Sequence, residues 1–133
     1  MVSSDSLDTN IILRLILSDN LGQREKAYKL ISKGQHHIFD AAIIEVVYVL
    51  ASCYNYNHIT IAQKLNRFFE QFCENIDYNK TITKMILPFW AEHPSHSFVD
   101  CYLAFISGLS NSKTLITFDK KLASQHPNAK LVI

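Results

Sequence analysis

Apolar positions recur along this chain with two spacings, and the switch between them marks out the elements. Ala41 to Tyr54 is almost wholly apolar, and its length favours a buried helix over a strand. Thr60 to Glu74 is amphipathic, with Ile61, Leu65, Phe68, Phe69 and Phe72 apolar. Phe98 to Leu109 is a second apolar helix. Asn10 to Leu17 and Gln23 to Lys33 also have helical spacing, separated by Asp19-Asn20-Leu21-Gly22, and Gly34 reads as the C-cap residue of the second. Thr81 to Trp90 reads as helical despite its β-branched residues, with Pro88 obscuring where it ends, and Lys120 to Ser124 as a short helix. Val2 to Leu7, His37 to Phe39, Ile76 to Tyr78, Thr114 to Thr117 and Leu131 to Ile133 read as strands. The first is polar for a strand, interrupted by Ser3, Ser4, Asp5 and Ser6. Strands thus alternate with helices or helix pairs, which predicts an α/β fold with a mostly parallel sheet covered on both faces.

Length and composition support that reading. A chain of 133 residues is one domain by size, here taken as residues 1–133, and 48% hydrophobic residues supply a core. Three Gly and three Pro argue against a turn-rich all-β fold. The net charge of +1 neither supports nor excludes a nucleic acid, because a local basic patch can hide in a neutral total. Cys53, Cys73 and Cys101 show no metal or disulfide spacing and read as buried apolar thiols in a reducing cytoplasm. No apolar stretch is long enough to span a membrane, and the start of the chain lacks a basic-then-apolar signal pattern.

Four acids stand out. Glu45 is the only charge between Asp40 and Lys64, and Asp100 the only one between Glu92 and Lys113. A carboxylate on a buried helix is costly unless it is paired or binds a metal. Asp8 ends the first strand and Asp119 follows "TLIT", so both fall at the carboxyl edge of a parallel sheet, where ligands bind. Placed in the first turns of their helices, Glu45 and Asp100 would reach the same edge. Each acid also has a local reading. Ser97 and Asp100 match a capping box, and Asp8 and Asp119 are capping residues. Glu45 has the weakest such reading, because Asp40 supplies a cap. Four carboxylates together suit Mg²⁺ or Mn²⁺, ions that polarise a phosphodiester, activate water and stabilise a leaving oxygen.

In order and spacing, "LDTNIILRLILSDN", "EVVYVL", "FVDCYLA" and "TFDKKLA" resemble the motifs of PIN-domain ribonucleases, and among them the VapC-type toxins of toxin–antitoxin pairs. The likeness runs from about Leu7 to Ala123. It implies a three-layer α/β/α sandwich with a mostly parallel central sheet, and cleavage of RNA with Mg²⁺ or Mn²⁺. By the same likeness Asp8, Glu45, Asp100 and Asp119 are the metal-binding and catalytic acids, and Asn10 and Thr117 support them by hydrogen bonding. A cytoplasmic homodimer inhibited by a small antitoxin protein is implied as well. Where relatives often read D-F-A-D, this chain has Ser97-Phe98-Val99-Asp100, which removes an acid that bears on a second metal ion. Asp5 lies three residues before Asp8, so on a regular strand the two point to opposite faces.

The remaining features take plainer readings. His93 and His96 flank Pro94 and read as a solvated loop rather than metal ligands. Arg14, Lys120 and Lys121 are candidate phosphate contacts, against ordinary surface charge. Phe68, Phe69 and Phe72 read as core rather than base-stacking residues. Two other functions compete with a nuclease. An aspartate-nucleophile phosphatase wants a second acid two residues after Asp8, where this chain has Asn10. A non-catalytic binding module of the same shape would be favoured by loss of acids, and all four are present.

Overall fold

The structure, a computed structural model, describes residues 5–110 and 113–132. Its contacts sort into two compact units, one ending at Lys80 and the other beginning at Thr81. In both, strands alternate with helices and every strand pairing among the described residues is parallel, as the hydrophobic pattern predicts, an arrangement consistent with the α/β sandwich that the resemblance implies.

The first unit holds a three-stranded sheet in the order β1 (Asp5–Ser6), β2 (His36–His37), β3 (Ile76–Asp77). Ser6, His37 and Asp77 stand side by side in register. The ladder continues past the strands, with the Leu7 N–H donating to the His37 carbonyl and the Ile38 N–H to that of Asp77, both at 2.9 Å. Four helices follow, α1 (Thr9–Ile16), α2 (Leu21–Ile31), α3 (Asp40–Ser52) and α4 (His58–Gln71). Helix α1 packs on the other three. Ile12, Leu13, Ile43, Val46, Leu50, Ile61 and Leu65 are buried, each such side chain contributing about 1.5 to 3 kcal/mol. Phe68, Phe69 and Phe72 are core residues, as their spacing suggests.

Polar residues at the breaks are helix starts. Asn20 accepts the Gln23 N–H at 3.1 Å and Asn57 that of Thr60 at 2.8 Å, which satisfies amides that a helix terminus leaves open. Gly34 takes φ 109°, but it lies two residues past Ser32, the C-cap of α2, and turns the chain into β2. Three expectations shift here. The first strand pairs only through Asp5 and Ser6, with Val2 to Ser4 outside the described residues. The second strand is His36–His37 rather than His37 to Phe39, because Ile38 already leads into α3. Asp40 is not the cap of α3. That position belongs to Phe39, which makes no side-chain cap bond, while Asp40 accepts the Asn79 amide at 3.1 Å.

In the second unit a π-helical turn (Ile82–Ile86) runs into α5 (Leu87–Glu92), followed by α6 (Phe98–Leu109), β4 (Leu115–Thr117), α7 (Lys120–Gln125) and β5 (Ala129–Leu131). Pro88 does not end its helix. The Leu87 N–H reaches back five residues to the Ile82 carbonyl, and this wider turn receives a proline that has no N–H to give. Strands β4 and β5 pair from Leu115 opposite Ala129 to Thr117 opposite Leu131. The last strand therefore starts two residues before its expected place, and Ile133 lies outside the described residues. Gly108 in α6 lies against the Asn128 side chain so closely that an added Cβ would overlap the amide.

The histidine loop is packed rather than solvated. His96 is buried, with Nε2 against Gln125 Oε1, and His93 stacks on Phe89 with ring centroids 4.0 Å apart. His126 closes the cluster against Phe89 and Phe105. Of the cysteines only Cys101 is buried, while Cys53 and Cys73 are exposed, since both follow the ends of helices. No helix among the described residues is long and apolar enough to cross a membrane.

Candidate active site

Asp8 and Asp119 occupy equivalent places, each just after a strand and at the start of a helix. Asp8 is the N-cap of α1, its Oδ1 accepting the Asn10 N–H at 3.4 Å. Asp119 is the N-cap of α7, its Oδ1 accepting the Leu122 N–H at 3.0 Å. The local reading of both acids is therefore correct. It commits one oxygen of each carboxylate and leaves the second open. Thr117 Oγ1 accepts the Asp119 backbone N–H at 3.0 Å and fixes the turn from which that carboxylate projects. Asn10 meets Asp8 only through its backbone, and its side chain is exposed.

Asp100 sits half-buried in the first turn of α6, where Ser97 Oγ accepts its backbone N–H at 3.1 Å. Glu45 lies in the second turn of α3, not the first, and is exposed. A buried, unpaired charge is thus not the reason for Glu45, because α3 is less uniformly buried than its sequence suggests. Its solvent side carries Ala41, Glu45 and Tyr48. Neither the Glu45 nor the Asp100 carboxylate has a hydrogen-bond or ionic partner among the described residues.

Asp8 and Glu45 belong to the first unit, Asp100 and Asp119 to the second. Among the described residues no three His, Cys, Asp or Glu side chains form a ready metal-binding group. The donor chemistry nevertheless fits a hard divalent cation. All four side chains offer anionic oxygen, and Asp8 and Asp119 have an oxygen beyond the one that caps.

Basic residues lie on the helices that Asp8 and Asp119 cap, each helix taken within its own unit. Arg14 is tied to Asp19 at 2.7 Å, and Tyr54 donates to the other oxygen of Asp19 at 2.8 Å, so this guanidinium is already neutralised. Beside Asn10, a cavity of about 350 Å³ opens between α1 and α2, lined by Ile11, Arg14, Gln23, Lys26 and Leu30. Lys120 and Lys121 are exposed in the first turn of α7. Burial, aided by the neighbouring Asp100 charge, pushes the Cys101 thiol up to about 12, so it stays protonated and unreactive.

Two groupings are not legible in the sequence. One is the histidine and phenylalanine cluster of the second unit, whose members are far apart along the chain. The other lies at the edge that carries Asp8. There His37 Nδ1 pairs with Asp77 Oδ2 at 3.1 Å, and Phe39 meets the His37 ring edge to face with centroids 4.5 Å apart. The alternation in "HHIFD" was the available signal, since it puts His37 and Phe39 on one side.

Compared with known proteins, the chain matches the PIN domain family over residues 6–125. No curated protein matches it.

Proposed function

The chain belongs to the PIN domain family, and from that membership we propose that it is a metal-dependent endoribonuclease, the toxin of a toxin–antitoxin pair. The family points to nuclease-type activity in general. The observation that carries the finer reading is the state of the four acids. Asp8 and Asp119 each keep one carboxylate oxygen uncommitted, and Asp100 and Glu45 keep both. That leaves carboxylate oxygen on all four side chains available to a cation. In this reading Asp8, Glu45, Asp100 and Asp119 hold Mg²⁺ or Mn²⁺, and Thr117 keeps Asp119 in place. When bound, the cation supplies Lewis-acid polarisation of the phosphodiester. The chain's own part is to present Asp8, Asp100 and Asp119 from helix starts whose backbone is fixed by capping, and Glu45 from the second turn of α3. A homodimer, a cytoplasmic setting and a small antitoxin protein belong to the same reading.

The test is RNA cleavage by the purified chain in Mn²⁺ and in chelator. Cleavage in Mn²⁺ alone is expected, with most of it lost in Asp8→Asn, Glu45→Gln, Asp100→Asn and Asp119→Asn while the fold is retained. Asp5→Asn should stay active, and an inactive but folded Asp5→Asn would replace Asp8 in the scheme. For the toxin role, expression of the chain alone should arrest growth of a bacterial host, and Asp100→Asn should relieve it. Normal growth at high soluble expression would count against that role.

A further inference from the structure

Phe39 is placed where α3 gains no cap from it. It holds the N-cap position of α3, where Ser, Thr, Asp or Asn would satisfy an open amide, and it makes no cap bond. It is also 58% exposed, although apolar. Residues that break a local rule without a structural return are where function is to be sought.

Its position says which function. Ser6 and His37 are in register on β1 and β2, and the alternation continues identically on both strands. Leu7 and Ile38 are buried, then Asp8 and Phe39 are exposed, with matching extended backbones (φ −73°, ψ 155° and φ −74°, ψ 150°). Asp8 and Phe39 are thus twin positions at one sheet edge, and adjacent strands lie about 4.8 Å apart. His37 braces the Phe39 ring edge to face and is itself held by Asp77. Asp77 is engaged by His37 and Asp40 by Asn79, while Asp8 beside the ring keeps an open anionic oxygen, and the ring itself carries no charge, so what it offers is a neutral π-face rather than a phosphate contact. Tyr78, just after the next strand, is not available for the same task, because it stacks on Phe69 at 4.0 Å.

We infer that Phe39 is a base-stacking residue that seats the nucleotide beside the phosphodiester at Asp8, with His37 as its positioning residue. The ligand class is single-stranded RNA, bound at this point through the π-face of one base. This rests on the nuclease reading and deepens it, by assigning a substrate contact to a residue outside the acids.

The experiment uses the full chain in chelator with single-stranded RNA oligonucleotides that carry 2-aminopurine at successive positions. The parent chain should bind and quench 2-aminopurine at one position. Phe39→Ser should weaken binding by about 5- to 30-fold and abolish the quench. The same substitution should raise Tm by roughly 2 to 5 °C, since it supplies the missing cap. Phe39→Trp should keep both binding and quench. If the parent binds RNA and Phe39→Ser binds equally well with the quench intact, the stacking role is overturned and the nuclease reading stands. The same holds if Phe39→Ser alters only self-association in sedimentation, which would make the ring a protein contact. If the parent binds no RNA, both fall.

Discussion

Asp119 holds α7 with one carboxylate oxygen and leaves the other open, and substitution separates the two tasks. Asp119→Asn keeps a capping oxygen and should lose RNA cleavage while staying within a few tenths of a kcal/mol of the parent in urea denaturation. Asp119→Ala loses both and should cost about 1 kcal/mol more. His126 is a second residue whose surroundings dictate its behaviour. Its Nδ1 accepts the Asn128 N–H at 3.0 Å, and Nε2 is buried with no partner among the described residues. Burial, reinforced by His96 and His93, lowers its pKa from the ordinary 6.5. A folded-state pKa below the unfolded one contributes stability above the unfolded value, and that contribution is lost as pH falls toward the folded value. Stability should therefore drop as pH goes from about 7 to 5, and His126→Gln should flatten that slope in denaturation at each pH. Neither residue announces this in sequence. A capping Asp and a metal-binding Asp look alike, and the partners of His126 come from three other elements.

At the scale of elements the hydrophobic period was a good guide where helices are long. Phe98–Leu109 was legible to the residue, and α3 and α4 to within about three, because long apolar stripes admit one solution. The strands were legible in place but not in extent, since pairs of two and three residues carry too little alternation to fix an end. The acid motifs were legible through their order, whereas the exposure of Glu45 depends on which side of α3 is covered. Close approach between elements was invisible. Gly108 makes room for Asn128, whose carbonyl accepts the Leu115 N–H at 2.8 Å and so starts the β4–β5 pair. Gly108→Ala forces the Asn128 amide aside and should destabilise the chain by up to about 2 kcal/mol, the better helix propensity of Ala offsetting part of the overlap. The double variant with Asn128→Ala should lose less than the sum of the single changes, as measured by a thermodynamic cycle.

For the whole molecule, the family match from residue 6 to 125 spans the boundary between the compact units, and the proposed acids are divided between them. On the proposed reading, a cation bound by these acids would stabilise the folded chain by RT ln(1 + [L]/Kd), about 2.7 kcal/mol at a hundredfold excess over Kd. A melting series in chelator and in Mn²⁺ should show a clear rise in Tm for the parent and a smaller one for Asp8→Asn and for Asp119→Asn. Equal rises in all three proteins would mean that these acids act as caps alone.

The wide turn before Pro88 has a consequence for how this chain tolerates changes in length. A π turn is one residue more than an α-helix needs, so the helix carries a built-in insertion between Ile82 and Ile86. Deleting Met85, which is exposed, would close the turn to ordinary α pitch and keep Leu87 and Trp90 on their buried side. The deletion would also set the Pro88 ring against the carbonyl four residues before it, at a cost of about 3 kcal/mol. The extra residue and the proline are therefore a matched pair. Removing Met85 alone should lower Tm, and removing it together with Pro88→Ala should restore most of the loss. A relative one residue shorter here is expected to lack the proline as well.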